Sequence, residues 1–346
     1  MKYKWDKQRL KQLQQDPVAY DNLEELYTTL RDPFRLSQRE RFSLKLTFCE
    51  DYTFLNEMDY IYPYIKTALD LPKLSQNIIH PKLKMTQDDI MTLTHDFYQK
   101  QTPKEIYSIF NMFFKDRFTH FKFIFSFLSP FYSAHTYMNQ NPPEAFIEVC
   151  QSHTLEAPLN CIHEYGHCID YFSYNPYKPD YYFPYAEVTS IFFELIALDY
   201  WETHTDLSNA ARAERQIFYN SFINDNYLLA CKYALIKDAY KILNGLKDED
   251  YKIALKKLHK RLKITKQAFK DTLRYPADTI LPYSLSTFIA LELYHIYQTD
   301  PEKAFDLFWQ FTTIDSENLL DLTQKILNIG ITPTENINVL LKKLTK

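Results

Sequence analysis

Apolar positions recur at helical spacing along most of the chain. Ile106, Ile109, Phe110 and Phe113 share one side of a 3.6-residue period. Comparable runs predict helices near residues 19–31, 38–56, 86–100, 157–173, 185–203, 207–243, 248–270, 284–298 and 316–328. Helix starts are marked by capping chemistry. Thr102-Pro103-Lys104-Glu105 and Thr332-Pro333-Thr334-Glu335 each offer a Thr cap, a first-turn Pro and a Glu three residues on. Thr299-Asp300-Pro301-Glu302 is a looser form of the same signal, and Gly330 supplies a left-handed cap after the run ending at residue 328. One segment departs from the helical period. Ala145-Phe146-Ile147-Glu148-Val149-Cys150 is short, β-branched and aromatic, and it follows the Pro142-Pro143 break. It predicts an isolated strand whose candidate partner is the stretch around Ser133 to Met138, and a free strand edge there would hold an extended peptide by backbone pairing.

Composition sharpens this into a mainly α fold with a small β-sheet. The 346 residues include only three glycines, Gly166, Gly245 and Gly330, too few for the tight hairpins and bulges of a β-rich protein. The 17 prolines fall instead at turns, as in Asn141-Pro142-Pro143 and Asn175-Pro176-Tyr177-Lys178-Pro179. Apolar residues at 46% and charged residues at 24% are globular values, and the length suffices for a core without disulfides. With no long linker, one folding unit is expected, its residues 1–130 a helical lobe and 131–346 a catalytic lobe.

Charge and cysteine usage exclude several roles. A net charge of −4 gives no broad basic field for nucleic acid, and Lys256–Lys263 (KKLHKRLK) reads as the solvated face of one helix. The opening residues lack the apolar core of a secretory signal, and the stretch from Phe123 to Tyr132 is too short to span a bilayer. Five cysteines, Cys49, Cys150, Cys161, Cys168 and Cys231, show no paired framework spacing and fit free thiols in a reducing compartment. The expectation is a cytoplasmic protein with neither nucleic-acid nor membrane partners.

The chemistry concentrates at His163-Glu164-Tyr165-Gly166-His167. Positions i and i+4 of a helix lie about 40° apart, so both imidazoles project from one face and can share a metal. Glu164 stands about 100° further round, within reach of a metal-activated water but badly placed as a third equal ligand. This is the H-E-x-x-H arrangement of zinc hydrolases, expected by chance only about 0.01 to 0.02 times in a chain with this many His and Glu. A catalytic zinc takes three protein ligands and leaves one position open. Glu187 and Glu194 lie two helical turns apart on an otherwise apolar segment, where two carboxylates need a cation or an imidazole. Glu187 is therefore assigned as third ligand to one Zn²⁺, and Glu194 as the partner that orients a ligand histidine. Asp170, seven residues beyond His163, is a second candidate for that outer role. Cys161 and Cys168 point away from the ligand face and read as core thiols.

These residues resemble the thimet oligopeptidase and oligoendopeptidase F group of zinc peptidases. His163, Glu164, Gly166 and His167 match that group's H-E-x-G-H, and Glu187-Val188-Thr189-Ser190 with Glu194 is similar to its downstream Glu pair. The strand Ala145 to Cys150 stands where the group's substrate-binding edge strand precedes the motif helix. The resemblance implies a helical zincin-like peptidase acting on short peptides, with Glu187 on zinc and Glu164 as general base. It also implies an oxyanion-stabilising tyrosine: Pro282-Tyr283-Ser284-Leu285-Ser286 is similar to the region that carries it, with Tyr283 first and Tyr275 second. Departures are Asp170 where the group often has His, a shorter spacing from His163 to Glu187, no His between His259 and His295, and a shorter chain. Two other readings stay open: a zinc carboxypeptidase or aminopeptidase on a related scaffold, and a non-catalytic helical protein with a structural metal.

Overall fold

The computed structural model describes residues 80–115, 119–125, 134–140, 143–173, 185–243, 277–317 and 319–331. The helices expected near 19–31, 38–56 and 248–270, the Thr332 start, the turn at 175–179 and Tyr275 lie outside them. The described residues fall into two compact units, one including 80–222 and 285–331, the other 223–243 and 277–284.

Helices dominate: α1 (Gln87–Gln101), α2 (Lys104–Phe114), α3 (Glu156–Ser173), α4 (Val188–His204), α5 (Ser208–Leu243), α6 (Ala277–Tyr297), α7 (Pro301–Thr312) and α8 (Leu319–Asn328). Three strands, β1 (Thr119–Phe125), β2 (Ala134–Gln140) and β3 (Pro143–Gln151), form a single sheet between α2 and α3 in chain order.

Local chemistry accounts for most boundaries. At α7, Asp300 is the cap: its side chain accepts from Lys303 N at 3.1 Å with Pro301 in the first turn. The α8 helix runs out at Gly330, whose φ of +93° is the left-handed conformation suited to glycine. Thr102 behaves differently from expectation. Helix α1 runs up to Gln101, so Thr102 ends that helix, donating its hydroxyl to Tyr98 O at 2.6 Å, and Pro103 takes the cap position of α2 with no side-chain bond. The reciprocal capping box sits instead at Thr86 and Asp89. Helix α6 begins at Ala277, upstream of the expected 284, and carries Pro282 inside it.

The strand expected to be isolated is the centre of the sheet. Strand β3 pairs parallel with β1 and antiparallel with β2, in the order β1-β3-β2. The sequence reading recovered its β2 partner but missed β1, because the Phe121-Lys122-Phe123 alternation is short and runs straight into the continuous apolar stretch that begins at Phe123. Alternation fixes the faces: Ala145, Ile147 and Val149 are fully buried, whereas Phe146 is 42% exposed. The register sets Phe121 and Thr136 on either side of Ile147, so all three share the face toward α3. Phe121 lies parallel to Tyr165 of that helix, ring centroids 6.2 Å apart.

Through the same Tyr165, α3 also packs against α1 and α2 by aromatic rings. Tyr98 stacks on Phe110 at 4.2 Å, Phe110 meets Tyr165 edge-on at 5.0 Å, and the buried Tyr98 hydroxyl donates to Ile162 O at 2.8 Å. Cys161 and Cys168 are buried free thiols. Burial pushes both well above the ordinary thiol range, so they pack rather than react. Helix α4 is apolar nearly all round, and Phe192, Phe193 and Trp201 bury its sides, the first two against Phe308 of α7.

Candidate metal centre

Helix α3 carries His163, Glu164 and His167, and its crossing with α4 brings the fourth residue. Gly166 lies so close to α4 that an added Cβ would stand 2.8 Å from Ser190 Cα and 3.2 Å from Ser190 N. Only a residue without a side chain allows this approach. Ser190 then donates its hydroxyl to His163 O at 2.8 Å, tying the two helices at the ligand itself. Glu187, just before α4, has near-helical angles (φ −93°, ψ −2°), and its carbonyl accepts from Ile191 N at 3.0 Å. Its own amide donates to Ser286 Oγ of α6 at 3.1 Å. The seven-residue phase to Glu194 therefore holds although α4 begins at Val188, not at 185.

Three candidate ligand atoms converge. His163 Nε2 lies 3.1 Å from His167 Nε2 and 3.0 Å from Glu187 Oε2, and His167 Nε2 lies 3.3 Å from Glu187 Oε2. The Oε2 contacts are ion-pair distances, and among the described residues no aligned hydrogen bond reaches this buried oxygen. Tetrahedral zinc with bonds near 2.0–2.1 Å sets its donors roughly 3.3 Å apart, so the observed triangle suits one such ion. Among the described residues, His163, His167 and Glu187 form the group that could hold a metal. The sequence-assigned set is thus brought together.

Electrostatics favour a cation at that point. Burial alone would push the His163 imidazole down, but the Glu187 and Glu194 carboxylates outweigh it and hold it well above its ordinary value. His167 is likewise raised, against burial, by Glu187. Burial pushes the Glu187 carboxyl up, yet the two imidazoles hold it far below the usual range. The same buried carboxylate that raises both imidazoles is a charge that a divalent ion held among the three side chains would satisfy.

The surrounding groups aim the rings. His163 Nδ1 is bonded to Glu194 Oε1, so Nε2 is the ring nitrogen turned toward Glu187 and His167. Asp170 Oδ1 accepts from Thr189 Oγ1 of α4 at 3.1 Å, bracing the first turn after Glu187. Glu164 is buried at 4% exposure, and its Oε2 accepts from Thr136 Oγ1 of β2 at 2.6 Å. Tyr283 is 44% exposed on α6 and belongs to the unit containing Ile223–Ser284. Sequence reasoning missed Thr136, Ser190 and Ser286, whose hydroxyls act across 28, 27 and 99 residues. A mid-helix glycine in so glycine-poor a chain was the one local sign of the close crossing.

No family model matches the chain, and no curated protein sequence matches it. Solved structures do. A Bacillus anthracis str. Ames chain assigned as an oligoendopeptidase F superimposes with TM-score 0.52 at 14% identity, over 96% of this chain and 63% of that one. A Chlamydophila abortus chain assigned as a peptidase gives 0.55 at 13% identity, over 92% and 56%. PZ peptidase A in complex with an inhibitor gives 0.51 at 12% identity, over 96% and 66%. The chain therefore has the helical fold of these peptidase structures and spans about three-fifths of their length. None of its described helices is long and apolar enough to cross a membrane.

Proposed function

We propose that the chain is a zinc-dependent peptidase that hydrolyses short, extended peptides. The observation that carries this reading is the convergence of His163, His167 and Glu187 on one point, next in sequence to a buried Glu164. The likeness to peptidase structures supports it. Two imidazoles and a carboxylate suit zinc, which at that point would supply Lewis acidity to a water and to the scissile carbonyl. The presence of Glu164 favours catalysis over a purely structural metal, which has no use for a base.

Each residue then has a task. Glu164 takes the proton of the attacking water and returns it to the leaving amine. Glu194 holds His163 in one tautomer, and Asp170 steadies the turn that presents Glu187. Strand β2, an edge of the sheet among the described residues, offers its backbone to an extended substrate. That role moves from β3, which is paired on both sides. Tyr283 donates to the developing oxyanion, a phenol being able to do so without ionising. Its Phe variant should lose about tenfold or more in kcat with KM little changed; an unaltered kcat removes the assignment and leaves Tyr275 as the alternative. The free thiols of Cys150, Cys161 and Cys168 fit a reducing, cytoplasmic setting.

The deciding experiment pairs metal analysis with hydrolysis of a peptide blocked at both ends. Glu164→Gln should keep one zinc per chain while kcat falls by about 10²–10⁴. Substantial residual activity in that variant excludes Glu164 as the base. Cleavage of the blocked peptide by the parent protein also excludes a strict carboxypeptidase or aminopeptidase.

A further inference from the structure

We infer that Thr136 is a positioning residue that fixes the orientation of the Glu164 carboxylate, an inference that rests on the peptidase reading above. Thr136 lies opposite Ile147 on the face of the sheet that α3 covers. Its Oγ1 stands 2.6 Å from Glu164 Oε2 and 3.3 Å from Glu164 O. The hydroxyl has one proton, and the shorter contact, with the length of a bond to a charged acceptor, takes it.

This bond matters because the last torsion of a glutamate is broad and roughly two-fold. Burial limits where the Glu164 side chain goes but does not by itself choose the plane of its two oxygens. Thr136 chooses it from a rigid base. Its χ1 is restricted by β-branching, and its height along α3 is set by a register in which β2 is paired from Ala134 to Gln140. With Oε2 held by the hydroxyl, Oε1 is the oxygen assigned to the water proton. The Thr136 hydroxyl is bonded to Glu164 and not to the three converging donors, so the side chain acts through Glu164, while the backbone that β2 offers to a substrate is the same in every variant at this position.

The test compares the zinc-loaded parent, Thr136→Val and Thr136→Ser on one doubly blocked peptide, with zinc content and thermal midpoint measured on each. Thr136→Val should lower kcat by about 10–100-fold, the cost of an ångström-scale misplacement, with KM within about twofold and zinc unchanged. Thr136→Ser restores the hydroxyl and should return kcat to within about threefold of the parent. A crystal structure of Thr136→Val should show the Glu164 carboxylate turned from its present plane, a readout independent of turnover. Thr136→Ala replaces the Val variant if the latter does not fold. Parent-like kcat in the Val or Ala variant, equal losses in Val and Ser, or a loss accompanied by departed zinc or raised KM overturns the inference. A parent protein inert toward peptides overturns the peptidase reading itself, whereas an active parent with an indifferent Val variant overturns only the role of Thr136.

Discussion

The two flanks of helix α3 are built on different principles. Toward α1 and α2 it packs by volume: Tyr98, Phe110 and Tyr165 fill the space with rings at centroid distances of 4.2 and 5.0 Å. Toward α4 it packs by absence: Gly166 lets the backbone at Ser190 approach, and single hydroxyl bonds finish the contact. Aromatic packing has many near-equivalent solutions, so it secures the fold without fixing any atom to a few tenths of an ångström. The glycine crossing leaves no slack at Ser190, three residues after Glu187, so it is expected to set the distance between Glu187 and the two rings.

This contrast can be broken from either side. The largest effect is expected at the ligand flank. Glu187→Ala should weaken zinc binding more than about 100-fold and Glu194→Gln about 10–100-fold, since the first removes a donor and the second only its neighbour's support. Competition titration with a chromogenic chelator measures both, and equal losses would refute the division of roles.

Gly166→Ala comes next. Alanine stabilises a helix interior by about 1 kcal/mol relative to glycine, whereas overpacking costs about 1–3 kcal/mol. The added methyl would meet backbone at 2.8 Å, so the cost should win narrowly. Stability is expected to fall by roughly 1 kcal/mol in denaturant titration, with zinc affinity falling at least about tenfold as Glu187 shifts. Unchanged affinity would show that the crossing does not set the ligand geometry. The smallest effect on the centre is expected from Phe110→Leu on the aromatic flank. It should cost about 1–2 kcal/mol of stability and leave zinc affinity within about twofold; a larger loss of zinc would mean that the two flanks are not separable.

The same division explains what was legible in the sequence. His163, Glu164 and His167 announce themselves because helical periodicity relates residues four apart, and Glu187 with Glu194 because it relates residues seven apart. The mainly α architecture followed from periodic apolar runs and the shortage of glycine. What stayed hidden depends on long-range register. That Thr136 meets Glu164 follows from the pairing of β2 with β3 and from how that sheet lies on α3, and neither is written in local spacing. The central position of β3 was hidden for the same reason, since its β1 partner is separated from it by all of β2. The Thr102 cap failed on a competition between neighbours: the residue was already engaged in closing α1.

The backbone contact at Gly166 also constrains how this protein can drift. The nearest atom that an added methyl would strike is the α-carbon of Ser190, which every amino acid possesses, so no exchange at 190 can make room for it. A lineage that lost the glycine would have no adjacent compensating step open to it. Position 166 should therefore stay glycine for as long as the centre is under selection, and become free to vary only in descendants that have given up the ion.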